Sequence, residues 1–255
     1  MVPPALVVLL AGCGTGAALQ GGASPAPGAS RTGLLQPAPA GSPIPGPTSS
    51  PTHVATRSPA SPDRPVFHGA IHAIDAATRA RMKSSWHPGC PVPISSLRLL
   101  TLSYWGFDGR IHAGEMVVNQ KVAGDVVAVF HKLFDARFPI RRMNLVDAYG
   151  GDDDASMAAD NTSAFNCRAV TGGSAWSEHA FGRAIDINPI ENPYMTAGGT
   201  VEPPAGRAFA DRSLRARGMI HPGDAVVRAF ASIGWVWGGT WRNPRDYQHF
   251  SSTGR

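Results

Sequence analysis

Apolar and polar positions alternate with structural spacing only in the later three-quarters of this 255-residue chain. Residues 75–83 read as a short helix. Residues 97–105 form an apolar, β-prone run that ends at the turn Phe107-Asp108-Gly109. Residues 115–119 read as a second strand, pairing with the first as a hairpin. Val122, Val126, Val129, Phe130, Leu133 and Phe134 recur at helical spacing, which predicts a helix over 122–138 closed by Pro139. Residues 143–148 predict a strand, 150–166 a long loop and 185–188 a short strand. Residues 189–222 are rich in Pro and Gly and predict irregular structure. A helix is expected over 225–232, and strands over 234–237 and 247–250. There is no internal repeat, and helices and strands mix without a βαβ rhythm. The expected fold class is therefore α+β: a single domain over 63–255 with a small antiparallel sheet flanked by helices.

The N-terminal quarter has a different composition. Its first 62 residues carry only Arg31 and Arg57 as charged side chains, and stretches such as Gly41-Ser42-Pro43-Ile44-Pro45-Gly46-Pro47 recur. Such a segment buries too little apolar surface to offset its ordering entropy, so residues 14–62 read as a disordered linker. Residues 1–13 carry an apolar run too short to span a bilayer, as in a secretion signal. Its end, Leu10-Ala11-Gly12-Cys13, resembles the lipobox of bacterial lipoproteins, which implies lipidation at Cys13. The expected location is extracytoplasmic, anchored by lipid to the outer face of the bacterial cytoplasmic membrane. The net charge of +5 divides into +2 for the first 62 residues and +3 for the rest, with no dense basic run. That balance argues against nucleic acid as a partner.

Outside the cytoplasm two remaining cysteines pair more often than they stay free, so Cys90 and Cys167 are expected to form a disulfide. Zinc ligation by both is the weaker alternative, since neither lies in a CxxC pair. The most informative stretch is Ser177-Glu178-His179-Ala180-Phe181-Gly182-Arg183-Ala184-Ile185-Asp186. An imidazole and a carboxylate seven residues apart converge if the chain turns between them. Gly182 permits that turn, Ala184 allows close packing, and Ile185 and Ile187 point away from Asp186 on a strand. Asp246-Tyr247-Gln248-His249 supplies a second imidazole. Two His and one carboxylate leave one zinc position for water, which the metal acidifies while polarising a carbonyl. His179, Asp186 and His249 are thus the expected zinc ligands. Asp246, three residues ahead of the last ligand and just after a loop at Asn243-Pro244-Arg245, is the candidate base.

These residues resemble the VanY/VanX-type zinc D-alanyl-D-alanine carboxypeptidase family, which includes L-alanyl-D-glutamate peptidases. The resemblance spans most of residues 90–250 and is densest at 177–186 and 246–249. It implies Zn2+ as cofactor, peptidoglycan stem peptides as substrate, and a carboxypeptidase or hedgehog-like fold with the zinc site at the sheet. It assigns the ligands to His179, Asp186 and His249 and the acid/base to Asp246. Asp rather than Glu at 246, with Trp237-Gly238-Gly239-Thr240-Trp241 upstream, looks more like the L-alanyl-D-glutamate branch. The family's arginine for a substrate carboxylate or oxyanion is matched to Arg168. Ser177 reads as a hydrogen-bonding support of the metal site.

Other signals read more plainly. His68 and His72 lack the Glu that a zincin helix requires. His87-Pro88-Gly89-Cys90 resembles an L,D-transpeptidase cysteine site, but Pro91 stands where that motif has Arg. No Lys has a Ser three residues before it, which argues against a penicillin-binding serine enzyme. Asp152-Asp153-Asp154 reads as a solvated acidic loop, with calcium binding as the alternative. Trp235, Trp237 and Trp241 either line the cleft or pack the core.

Overall fold

The computed structural model describes residues 65–254. The expectations for residues 1–13, for lipidation at Cys13 and for the linker 14–62 lie outside them.

In chain order, β1 (Gly69–Ala73) leads to α1 (Ala76–Arg81), whose first turn is capped by the Asp75 carboxylate accepting from Thr78 N. Next come β2 (Leu97–Trp105) and β3 (Ile111–Asn119), then α2 (Ala123–Asp135). Arg142–Met143 is β4, Asp153–Ala158 is α3 and Asn161–Thr162 is β5. Ala184–Asp186 is β6, Tyr194–Met195 is β7 and Val201–Glu202 is β8. Ala225–Ala231 is α4, followed by β9 (Val236–Trp237), β10 (Arg245–Asp246) and β11 (His249–Ser251). The architecture is α+β, with three small three-stranded sheets ordered β1-β2-β3, β10-β7-β8 and β6-β11-β9, all antiparallel.

β2 carries apolar residues on both faces because both are covered, with Arg98, Thr101 and Ser103 as its polar positions. Leu100, Leu102 and Tyr104 join the main core with α2, α4 and β11, while Leu97 and Leu99 pack with Met82, Val117, Leu145 and Phe165. α2 buries Val126, Val129, Phe130, Leu133 and Phe134, as its periodicity requires. It stops at Asp135, three residues short of the predicted end. Arg137 turns into the left-handed region (φ 51°) and Phe138 N donates back to Leu133 O.

Several predicted elements need correction. β3 begins at Ile111, four residues early, because Asp108 accepts from Arg110 N and tightens the turn. Residues 143–148 are not a strand. Only Met143 pairs, and the Asn161 side chain then takes both Asn144 N–H and Asn144 O, so the chain turns over Val146–Tyr149. Residues 150–166 are not one loop: Asp152 caps α3 by accepting from Ala155 N. An acidic run suits a helix N-terminus, where carboxylates meet unpaired N–H groups. β1 was not foreseen; it is an edge strand, and its His72 lies beside Thr101 rather than on a helix. The expected loop at 243–245 stops before Arg245, which with Asp246 forms β10, paired with Met195 and Tyr194.

Candidate metal centre

The site starts from two short strands. β6 and β11 run antiparallel with Asp186 directly opposite His249 and Ile185 opposite Phe250. Opposed residues project to the same face. Asp186 and His249 therefore lie together, while Ile185 and Phe250 go into the core.

His179 arrives from a 3₁₀ turn, Glu178–Phe181. The Ser177 hydroxyl accepts from His179 N, so Ser177 supports the turn that carries the imidazole. Gly182 ends the turn at φ 66°, and a Cβ there would stand 2.6 Å from Asn119 N, which donates to Gly182 O. Only glycine satisfies both demands.

Three side-chain atoms then converge. His179 Nε2 is 3.2 Å from His249 Nδ1 and 3.1 Å from Asp186 Oδ2, and His249 Nδ1 is 3.0 Å from Asp186 Oδ1. All three residues are buried. His179 Nδ1 lies 2.6 Å from Ala164 O, which can only accept, so Nδ1 donates and Nε2 presents its lone pair to the group. Burial works to raise the Asp186 carboxyl, but the His179 and His249 rings outweigh it and hold the carboxyl well below the usual range.

Asp246 is fixed alongside by close backbone packing. A Cβ on Gly238 would stand 2.6 Å from Asp246 O, 3.0 Å from Asp246 Cβ and 3.4 Å from His249 Cβ. Asp246 Oδ1 is shut off from solvent and has no hydrogen-bond partner among the described residues. Burial pushes this carboxyl up to about 7, against the pull of His249; Asp186 raises it further, and His179 and Arg168 lower it.

Arg168 follows Cys167, which forms a disulfide with Cys90 (Cα–Cα 5.8 Å). That bond consumes both thiols, which excludes the metal and nucleophile readings of Cys90. A hairpin closes next, with Ser177 N donating to Arg168 O and Ala169 bridging Trp176, so Arg168 neighbours the ligand motif. Its Nη2 meets Asp153 Oδ2 at 2.8 Å. Asp153 is thus neither a solvated loop residue nor arranged with Asp152 as a calcium site. Trp235 and Trp237 belong to the core, whereas the Trp241 ring lies 5.4 Å from that of His249. Sequence reasoning missed Asp153, Gly238 and the Ala164 carbonyl. The acidic run at 152–154 and the stretch Trp237-Gly238-Gly239-Thr240-Trp241 were their traces in the sequence.

The donor set fits zinc. Ligand atoms about 2.0–2.1 Å from zinc in a tetrahedron lie about 3.3 Å apart, close to the spacing here. Among the described residues, His179, Asp186 and His249 are one of two groups of His, Cys, Asp or Glu close enough to hold a metal. The other, His87 with Cys90 and Cys167, contains the disulfide.

Residues 171–252, about a third of the chain, match a peptidase family model described as D-alanyl-D-alanine carboxypeptidase. The match includes His179, Asp186, Asp246 and His249 and ends short of Arg168 and Asp153. It supports the resemblance read from the motifs. No curated protein and no solved structure matches the chain.

Proposed function

We propose that this chain is a zinc-dependent peptidase that hydrolyses peptidoglycan stem peptides, removing the terminal D-alanine. The observation that carries the reading is the convergence of His179 Nε2, Asp186 and His249 Nδ1 beside the Asp246 carboxylate. When bound, zinc supplies Lewis acidity, acidifying a water and polarising the scissile carbonyl. His179, Asp186 and His249 are the residues that hold it. Asp246, its Oδ1 unpartnered, takes the proton of the attacking water and returns it to the leaving amine. A carboxyl raised by burial is the stronger base for that task, and the cation's charge keeps it ionised at neutral pH. Arg168 is the donor for a carboxylate or the developing oxyanion of the peptide.

Asp rather than Glu at 246 favours a second reading, cleavage at L-alanyl-D-glutamate, with the same residues in the same roles. Lipidation at Cys13 and a linker over 14–62 would tether the domain beside such substrates.

Two variants test the reading. Asp246→Ala keeps zinc, measured by elemental analysis, and loses hydrolysis of a defined stem peptide by roughly 10²- to 10⁴-fold. His179→Ala loses the metal. Full activity in the first variant would remove Asp246 as the base, and undiminished zinc in the second would refute the site.

A further inference from the structure

The peptidase reading leaves Asp153 without a role, although its carboxylate lies within the electrostatic reach of the metal group. Arg168, Asp186 and His179 all act on it, and Arg168 acts in turn on Asp246. Helix capping does not account for Asp153, because Asp152 already accepts from Ala155 N. Its partner is the Arg168 guanidinium, Nη2 to Oδ2 at 2.8 Å, with both side chains largely shielded from solvent (24% and 20% exposed).

A guanidinium is planar, so fixing one of its nitrogens on a carboxylate restricts where the others point. Arg168 Nη1 donates to Ala169 O. Its Nε–H is buried and has no partner among the described residues. A buried, unpaired donor is costly unless a bound molecule satisfies it. The carboxylate of Asp153 also offsets repulsion between Arg168 and a divalent cation nearby.

We propose that Asp153 is a positioning residue. It holds the Arg168 guanidinium so that Nε–H is presented to an oxygen of the bound peptide, and it acts only through Arg168. This role rests on the peptidase reading above.

A double-mutant cycle tests it. Asp153→Ala, Arg168→Ala and the double variant are compared with the full chain for kcat/KM on a stem peptide ending in D-alanyl-D-alanine. The same cycle is read as peptide Kd by calorimetry, with Asp246→Asn present throughout to stop turnover. Zinc content stays constant in every variant. Each single variant loses about 10- to 100-fold in kcat/KM, the scale of a misplaced catalytic donor. The double variant loses no more than Arg168→Ala alone. Asp153→Asn, which keeps shape without charge, falls with Asp153→Ala, and Asp153→Glu recovers part of the loss. Additive losses in an active protein, or zinc lost with Asp153→Ala, would overturn the positioning role alone. A wild-type chain that neither cleaves nor binds the peptide would overturn the peptidase reading and this role with it.

Discussion

At the scale of single residues, the site depends as much on absent atoms as on present ones. Gly238 has no side chain because Asp246 O and His249 Cβ occupy the space a Cβ would need. An added methyl forces backbone to move, and the backbone that moves carries the candidate base and a candidate ligand. Gly238→Ala is therefore expected to lower kcat/KM by about 10²-fold or more. It is also expected to cost about 1–3 kcal/mol of stability from overpacking. Gly124 is the contrast: it lies on α2 with open space around its missing Cβ. Gly124→Ala should gain about 0.5–1 kcal/mol and leave activity unchanged. Thermal melts and steady-state kinetics on the two variants check both statements, and equal effects would show that Gly238 is not packed against the site. Much of the residue scale was legible in sequence. His179, Gly182, Asp186 and His249 stand in spacings that chemistry restricts. The roles of Gly238 and Asp153 were not legible, because they come from contacts that exist only once the chain has folded, with Asp246 and His249 for the one and Arg168 for the other.

At the scale of elements, the strongest sequence signals were the periodic ones. α2 and β2 lie almost where the apolar pattern put them, since α2 buries one face in the main core and β2 packs its leucines into two clusters. The failures lie where side chains replace backbone partners. Asn161 ends β4 by binding both polar groups of Asn144, and Asn188 and Asn192 hold the irregular segment after β6. Asn188 Nδ2 donates to Pro139 O, and Asn192 pairs with Gly218 O and Ile220 N. No local period announces such bonds. In the same segment, burial, reinforced by Asp160, pushes Glu191 up to about 8 from an ordinary 4.5, with Arg141 opposing. Between those two values the folded chain keeps a proton that the unfolded chain releases. Stability therefore falls as pH rises from about 4.5 to about 8. Glu191→Gln retains the shape without the titrating proton, so urea midpoints across that window should decline less steeply than in the wild type. Identical slopes would mean that Glu191 is not held protonated.

At the scale of the whole molecule, the site joins segments more than sixty residues apart. The register of β6 on β11 places Asp186 opposite His249, the hairpin at 168–177 brings Arg168 to the ligand motif, and the Cys90–Cys167 disulfide secures that hairpin's base. The α+β class followed from the mixed pattern of helices and strands. The division into three small three-stranded sheets and a parallel β4-β5 pair did not, because two-residue strands such as β7 and β10 form only once their partners are in place. Metal-dependent hydrolysis by this assembled site is the central proposal. Its most direct test is the mass of the products when the purified chain meets a defined stem pentapeptide, with and without a chelator. The account predicts loss of the terminal D-alanine, abolished by chelation and restored by added zinc. A peptide left intact with zinc present, or cleavage that a chelator does not slow, would contradict it.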